Sequence, residues 1–181
     1  VTDSRDLFER AYKVVAYHEG LYTNDSSDPG GPTKYGISLK YLHSKYIDID
    51  GDGDVDIADV RALTEEKAKD IYYKDWWLPS GYQNFSSNLL SIKMFDLAIN
   101  IGPIRANKVL QRAVRAVTGI ELVEDGILGH NTTQAVNSVK CKREILIAVR
   151  SEAAGYYRLV VQNNPITFKK FLKGWLNRAY S

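Results

Sequence analysis

Apolar side chains recur through most of this chain at helical spacing. Leu7, Phe8, Ala11, Val14, Val15 and His18 share one face of a helix that Ser4 can cap and Gly20 can stop. The stretch from Tyr22 to Ser38 is crowded with Asn, Asp, Ser, Gly and Pro, a turn signature, with a short strand expected over residues 33–38. A short helix is expected over 39–46, followed by an acidic segment. Thr64 is placed to cap a helix running to Trp77, with Glu65 and Glu66 in its first turn, where the helix dipole favours anions. Residues 89–101 are apolar on more than one face, which predicts a buried central helix ending at Gly102-Pro103. Further helices are expected over 105–117, 133–139, 144–162 and 168–179. No linker or internal repeat interrupts the pattern. It predicts a mainly α fold with a small β element near residues 20–38, as a single domain over 1–181.

The bulk properties agree with a globular chain. Its 181 residues can bury a substantial core, and they are 44% hydrophobic, 25% charged and 11% aromatic. The longest apolar runs, such as 145–149, are far too short to span a bilayer. Residues 4–18 carry charge every few positions, so no secretory signal is visible. Cys141 is the lone cysteine, which excludes an internal disulfide and a thiolate metal site. His18-Glu19 lacks the second His that a helical zinc motif requires. The net charge of +2 conceals an asymmetry. Residues 1–90 hold 10 basic and 16 acidic side chains, whereas residues 91–181 hold 14 and 6. A basic half can steer toward an anionic polymer or surface, but no contiguous basic face specifies nucleic acid.

Six of the acids lie in one segment, Asp48-Ile49-Asp50-Gly51-Asp52-Gly53-Asp54-Val55-Asp56-Ile57-Ala58-Asp59. It fits the twelve-position EF-hand loop without a gap. Asp48, Asp50 and Asp52 stand at ligand positions one, three and five, and Gly53 at the sharp turn in position six. Asp54 offers its carbonyl, Asp56 acts directly or through water, and Asp59 closes the set. Calcium suits it because a hard cation takes six to eight oxygens and relieves their repulsion. Asp at position twelve is shorter than the usual Glu, as in dockerin repeats, which the segment also resembles. A single loop points to a structural clip holding one ion, with no metal in catalysis.

Glu19 is the candidate for chemistry. A carboxylate in the last turn of a helix faces the negative end of the dipole, and burial against His18, Tyr22 and Tyr35 would also favour its neutral form. Both suit a proton donor near neutral pH. Asp25 and Asp28 follow on a turn-rich loop, and two carboxylates in contrasting environments are the equipment for splitting a glycosidic bond.

The run Glu19-Gly20, Tyr22, Asp25 and Asp28-Pro29-Gly30-Gly31-Pro32-Thr33-Lys34-Tyr35-Gly36-Ile37 resembles the signature of glycoside hydrolase family 108, endolysins and muramidases of the lysozyme superfamily. The likeness continues through Leu63-Thr64, Ala68, Ile71-Tyr72 and Trp76-Trp77, then Phe95-Asp96, Ala98, Asn100 and Gly102. Asp125-Gly126, Gly129 and Thr132 resemble the turn of a predicted peptidoglycan-binding region, and Gly174-Trp175, Asn177-Arg178 a C-terminal motif. Leu21 and His130 depart from the family's usual Gly and Pro, and the segment 48–59 is an insertion. The resemblance implies a lysozyme-like α+β fold, with catalytic motif and calcium insertion in 1–90 and a helical part in 91–181.

It also implies a peptidoglycan hydrolase cutting between N-acetylmuramic acid and N-acetylglucosamine. Glu19 falls on the catalytic acid, while Asp28 and Thr33 sit near the positions that hold the attacking water in related phage lysozymes. The Asp28-to-Thr33 gap is one residue shorter than in that set, and Asp25 competes as second carboxylate. Tyr22, Tyr35 and Asn100 are candidate cleft residues. Inversion is expected by analogy. A lytic transglycosylase of the same fold and a calcium-dependent wall-binding module without turnover are the rivals. Such a protein is expected to act as a monomer on glycan strands in the periplasm, made in the host cytoplasm if phage-encoded. Phe168, Phe171, Leu172, Trp175 and Leu176 form an apolar stripe beside Lys169, Lys170, Lys173 and Arg178. That stripe suits docking on the protein's own core, or an anionic outer-membrane surface.

Overall fold

The computed structural model describes residues 4–19, 22–23 and 32–181, with the side chains of Glu19, Tyr22 and Thr23 outside that description. The architecture is mainly α with one small antiparallel sheet. Contacts group the chain into two compact units, Tyr12–Pro79 and Val1–Ala11 with Ser80–Ser181.

The unit of residues 12–79 contains the second half of α1 (Ser4–Glu19) and three strands in the order β1-β2-β3: β1 (Tyr22–Thr23), β2 (Thr33–Lys34) and β3 (Ile37–Ser38). The strand expected over 33–38 is instead a hairpin, because Tyr35 (φ 51) and Gly36 (φ 75) both take left-handed conformations and turn the chain in two residues. Gly36 is required twice over, since a Cβ there would also overlap the Tyr72 hydroxyl. Ile37, fully buried, anchors the hairpin. Ser38 caps α2 (Leu39–Lys45) by accepting the Tyr41 amide at 3.2 Å. The acidic segment then leads into α3 (Ile57–Ala62), and Thr64 caps α4 (Glu65–Tyr72) through the Lys67 amide at 3.2 Å.

The helix expected to reach Trp77 loses its α-helical form at Tyr72. A π turn spans Tyr73–Trp77 before α5 (Leu78–Ser80). The extra residue in that turn sets Trp76 between Tyr41 and Tyr72, at ring-centroid distances of 4.6 and 4.9 Å, while Trp77 stays wholly buried.

The other unit is built around α6 (Asn88–Ile101), whose Leu90, Met94, Phe95 and Leu97 are buried on several faces, as a central helix requires. Phe8 of α1 meets Phe95 edge-on at 6.1 Å. Gly102 (φ 83) breaks the chain before α7 (Pro103–Thr118), which starts on proline and stops at left-handed Gly119. Then come α8 (His130–Ser138) and the long α9 (Lys142–Asn163), which packs on α7. The terminal helix expected over 168–179 is divided into α10 (Pro165–Phe168), a 3₁₀ turn at Lys169–Phe171 and α11 (Leu172–Tyr180). Its apolar stripe packs on its own unit: Trp175 stacks on Tyr157 of α9 at 5.4 Å and on Phe171 at 5.7 Å. Among the described residues no helix is long and apolar enough to cross a membrane.

Three charged side chains are sealed inside this unit. Asp96 is fully buried, with the Arg178 Nη2 at 2.8 Å and Lys93 Nζ at 3.8 Å. Arg178 Nε also donates to Asp96 at 3.0 Å, and Lys93 Nζ donates to the Arg178 carbonyl. Burial pushes the Lys93 ammonium down to about 8, against a smaller opposite pull from Asp96. Asp96 is therefore a structural ion, tying α6 to α11, although it lies one helical turn from Asn100.

Candidate functional site

Glu19 is the last residue of α1, and β1 begins three residues later at Tyr22. The sheet register sets Thr23 opposite Thr33 and Tyr22 opposite Lys34. Backbone pairing thus holds Thr33 on the strand adjacent to the one that follows Glu19. Tyr35 sits in the hairpin turn with the Lys34 ammonium 5.6 Å from its ring centre, and Lys34 also donates to the Arg61 carbonyl at 2.6 Å. Asp25 and Asp28 lie outside the described residues, as do the side chains of Glu19 and Tyr22. Asn100, the remaining candidate, belongs to the other unit.

The acidic segment folds as an ordered loop stitched by its own amides. Asp48 accepts from Gly51 at 2.6 Å and from Gly53 at 2.9 Å, and Asp52 from Asp54 at 3.1 Å. Asp56 caps α3, forming a reciprocal capping box with Asp59. Asp59 is fully buried and takes the amides of Asp56 (2.7 Å), Ile49 (2.5 Å) and Asp50 (3.3 Å), which hold its carboxyl below the usual range. Lys67 fastens the loop to α4 through the Ile49 carbonyl at 2.7 Å. Gly53 is needed for its φ of 99 and not for lack of room, since a Cβ there would meet nothing within 4 Å. Carboxylate oxygens of Asp48, Asp50 and Asp52 lie within 4.8 Å of one another, as do those of Asp54, Asp56 and Asp59. This crowding raises the Asp54 carboxyl chiefly through the Asp52 charge, and raises Asp50 through partial desolvation and then Asp52. An all-oxygen donor set under mutual repulsion has the chemistry of a site for a hard cation.

In the unit of residues 80–181, a groove of about 410 Å³ is lined by Asn100, Gly102, Arg105, Tyr156, Tyr157 and Trp175 among others. Asn100 Oδ1 accepts the Tyr157 hydroxyl at 2.8 Å. The Asp125–Thr132 region is, by contrast, a structural turn. Gln111 on α7 donates to Asp125 at 2.8 Å and accepts the Gly126 amide at 2.9 Å, and Asn107, one helical turn away, donates to the Gly126 carbonyl at 2.9 Å. Tyr82 completes the set by donating to Asn107 at 2.7 Å. Gly126 (φ 80) fits because a Cβ would come 2.6 Å from the Ile104 carbonyl. Reading the sequence missed Asn107, Gln111 and Arg105, which look like ordinary polar positions on a helix; Trp175 registered as one member of a stripe and of the C-terminal motif, not as a groove wall.

These features have counterparts in known proteins. The profile described as Glycosyl hydrolase 108 matches residues 12–102, and the one described as Predicted Peptidoglycan domain matches residues 105–180. No curated protein sequence matches the chain. Among solved structures, Brucella abortus SagA is similar at 30% identity and a TM-score of 0.71, covering 97% of this chain and 91% of that one. With its mainly α, lysozyme-like fold, the chain belongs to glycosyl hydrolase family 108 and is a glycoside hydrolase of peptidoglycan.

Proposed function

We propose that the protein is a muramidase that hydrolyses the bond between N-acetylmuramic acid and N-acetylglucosamine, with Glu19 as general acid. The observation that carries this reading is the coincidence of family membership over residues 12–102 with Glu19 as the final residue of α1. There the negative end of the helix dipole opposes ionisation and suits a proton donor. Glu19 protonates the departing glycosidic oxygen while water attacks the anomeric carbon. Asp28 or Asp25 accepts the proton of that water, and Thr33, held by the pairing of β1 with β2, orients it. Inversion is the expected stereochemistry. Tyr22, Tyr35 and Asn100 are assigned to contacts with the glycan.

The test is turbidity loss of bare murein sacculi with wild type and Glu19→Gln. Loss of rate by about two orders of magnitude or more, with sacculus binding retained, supports the assignment. Equal rates overturn it, and anhydro ends in the released muropeptides reassign the reaction to a lytic transglycosylase.

The loop 48–59 is proposed to hold one structural calcium ion through Asp48, Asp50, Asp52, Asp54, Asp56 and Asp59, with no part in bond cleavage. Two triads of closely spaced carboxylates, Asp48, Asp50 and Asp52 in one and Asp54, Asp56 and Asp59 in the other, support this. Calcium binding followed by titration calorimetry is expected at one ion per chain and is expected to disappear in Asp48→Ala/Asp52→Ala.

A further inference from the structure

The groove beside the C-terminal end of α6 has the makings of a ligand site. Its donors are left open by the fold. Asn100 spends its carbonyl on Tyr157 at 2.8 Å, so its amide nitrogen is free to donate and has no acceptor among the described residues. Arg105 is exposed and makes one long bond, to the Ile101 carbonyl at 3.4 Å, leaving the rest of its guanidinium without a partner among the described residues. Among the described residues no carboxylate lines the groove. Aromatic rings supply the walls: Tyr156 and Trp175 are half-buried and flank Tyr157, at 5.8 and 5.4 Å from its ring. Its volume of about 410 Å³ falls within the ~300–1,000 Å³ of small-ligand sites.

A site with donors, a fixed positive charge and aromatic faces selects a ligand with acceptors, a carboxylate and an apolar ring face. Sugars offer C–H faces to aromatic rings, and an N-acetyl carbonyl accepts from an amide. A neutral N-acetylglucosamine chain leaves Arg105 unmatched, whereas a muramic-acid unit brings a lactyl or peptide carboxylate on the same sugar. Arginine suits that group because its planar fork matches a carboxylate in two bonds.

We propose that this groove contacts peptidoglycan directly and takes an N-acetylated hexosamine bearing a carboxylate arm. This rests on the reading of peptidoglycan as substrate and adds to it a specific recognition of the peptide-bearing sugar. Asn100 donates to the acetamido carbonyl, Arg105 pairs with the carboxylate, and Tyr156 and Trp175 pack on the ring.

The experiment uses the full chain carrying Glu19→Gln, titrated with N-acetylmuramyl dipeptide and separately with chitotriose, while the indole N–H resonances are followed by NMR. Trp175→Phe identifies the Trp175 signal. The dipeptide is expected to shift that signal and to bind at least tenfold tighter than chitotriose. Arg105→Ala is expected to remove that preference and leave chitotriose unchanged, Arg105→Lys to restore part of it, and Tyr156→Ala to weaken both ligands. Equal affinity for the two ligands, no shift at Trp175, or an unchanged preference in Arg105→Ala overturns the proposal. Sacculus turbidity with the wild-type chain is scored independently: lysis without dipeptide binding rejects the groove alone, and binding without lysis rejects the hydrolytic reading alone.

Discussion

Asp96 sits between two buried cations, and replacing it with Asn removes the negative charge while keeping the shape. Asp96 is fully buried, and Lys93 and Arg178 are each 5% exposed, so water cannot compensate either cation. Breaking one partner out of a buried pair costs about 3–5 kcal/mol, because a desolvated charge is left behind. For a chain of this size each kcal/mol lowers Tm by roughly 2–4 °C, giving an expected fall of about 6–20 °C. Chemical denaturation of Asp96→Asn, Arg178→Met and the double variant measures the coupling. The double variant is expected to lose clearly less than the sum of the singles, since with both ends gone Asp96 and Arg178 no longer leave each other uncompensated. Additivity within about 0.5 kcal/mol, or a loss under about 1 kcal/mol in Asp96→Asn, would refute the idea that this ion cluster clamps α11 onto α6.

Lys93 makes stability pH-dependent in a defined direction. Its folded value of about 8 lies below the ordinary 10.5, so the unfolded chain holds the proton more tightly. Its contribution to stability is flat below about 8 and rises between about 8 and 10.5; urea midpoints across that window should lose this rise in Lys93→Met. Gly36→Ala forces a left-handed alanine and a clash with Tyr72, and is expected to cost about 1–2 kcal/mol or more and to reduce sacculus lysis by disturbing the pairing that carries Thr33. Should its Tm and lysis match wild type, the hairpin is not what positions that strand. Adding a chelator to calcium-loaded protein is expected to lower Tm by several degrees without abolishing lysis, whereas an unchanged Tm counts against a structural ion in the loop.

Local chemistry made much of this protein legible from residue order alone. The cap at Thr64, the stop at Gly102 and the all-round apolar pattern of α6 depend on a few neighbouring residues, so spacing alone predicts the elements they bound. The twelve-residue acidic pattern is equally local, and its ordered turns at Gly51 and Gly53 follow from it. The motif around Glu19 was readable because it is contiguous, although the turn at Tyr35-Gly36 within it was read as continuous strand. What spacing could not supply are choices made by partners far along the chain. The π turn at Tyr73–Trp77 exists so that Trp76 can meet Tyr41, more than thirty residues earlier. Asp96 and Asn100 occupy one helical face, yet Arg178 arriving from α11 makes the first a buried ion, while Tyr157 from α9 leaves the second facing a groove. Sequence periodicity reports which side of a helix is covered; only the folded chain decides which charge or ring does the covering.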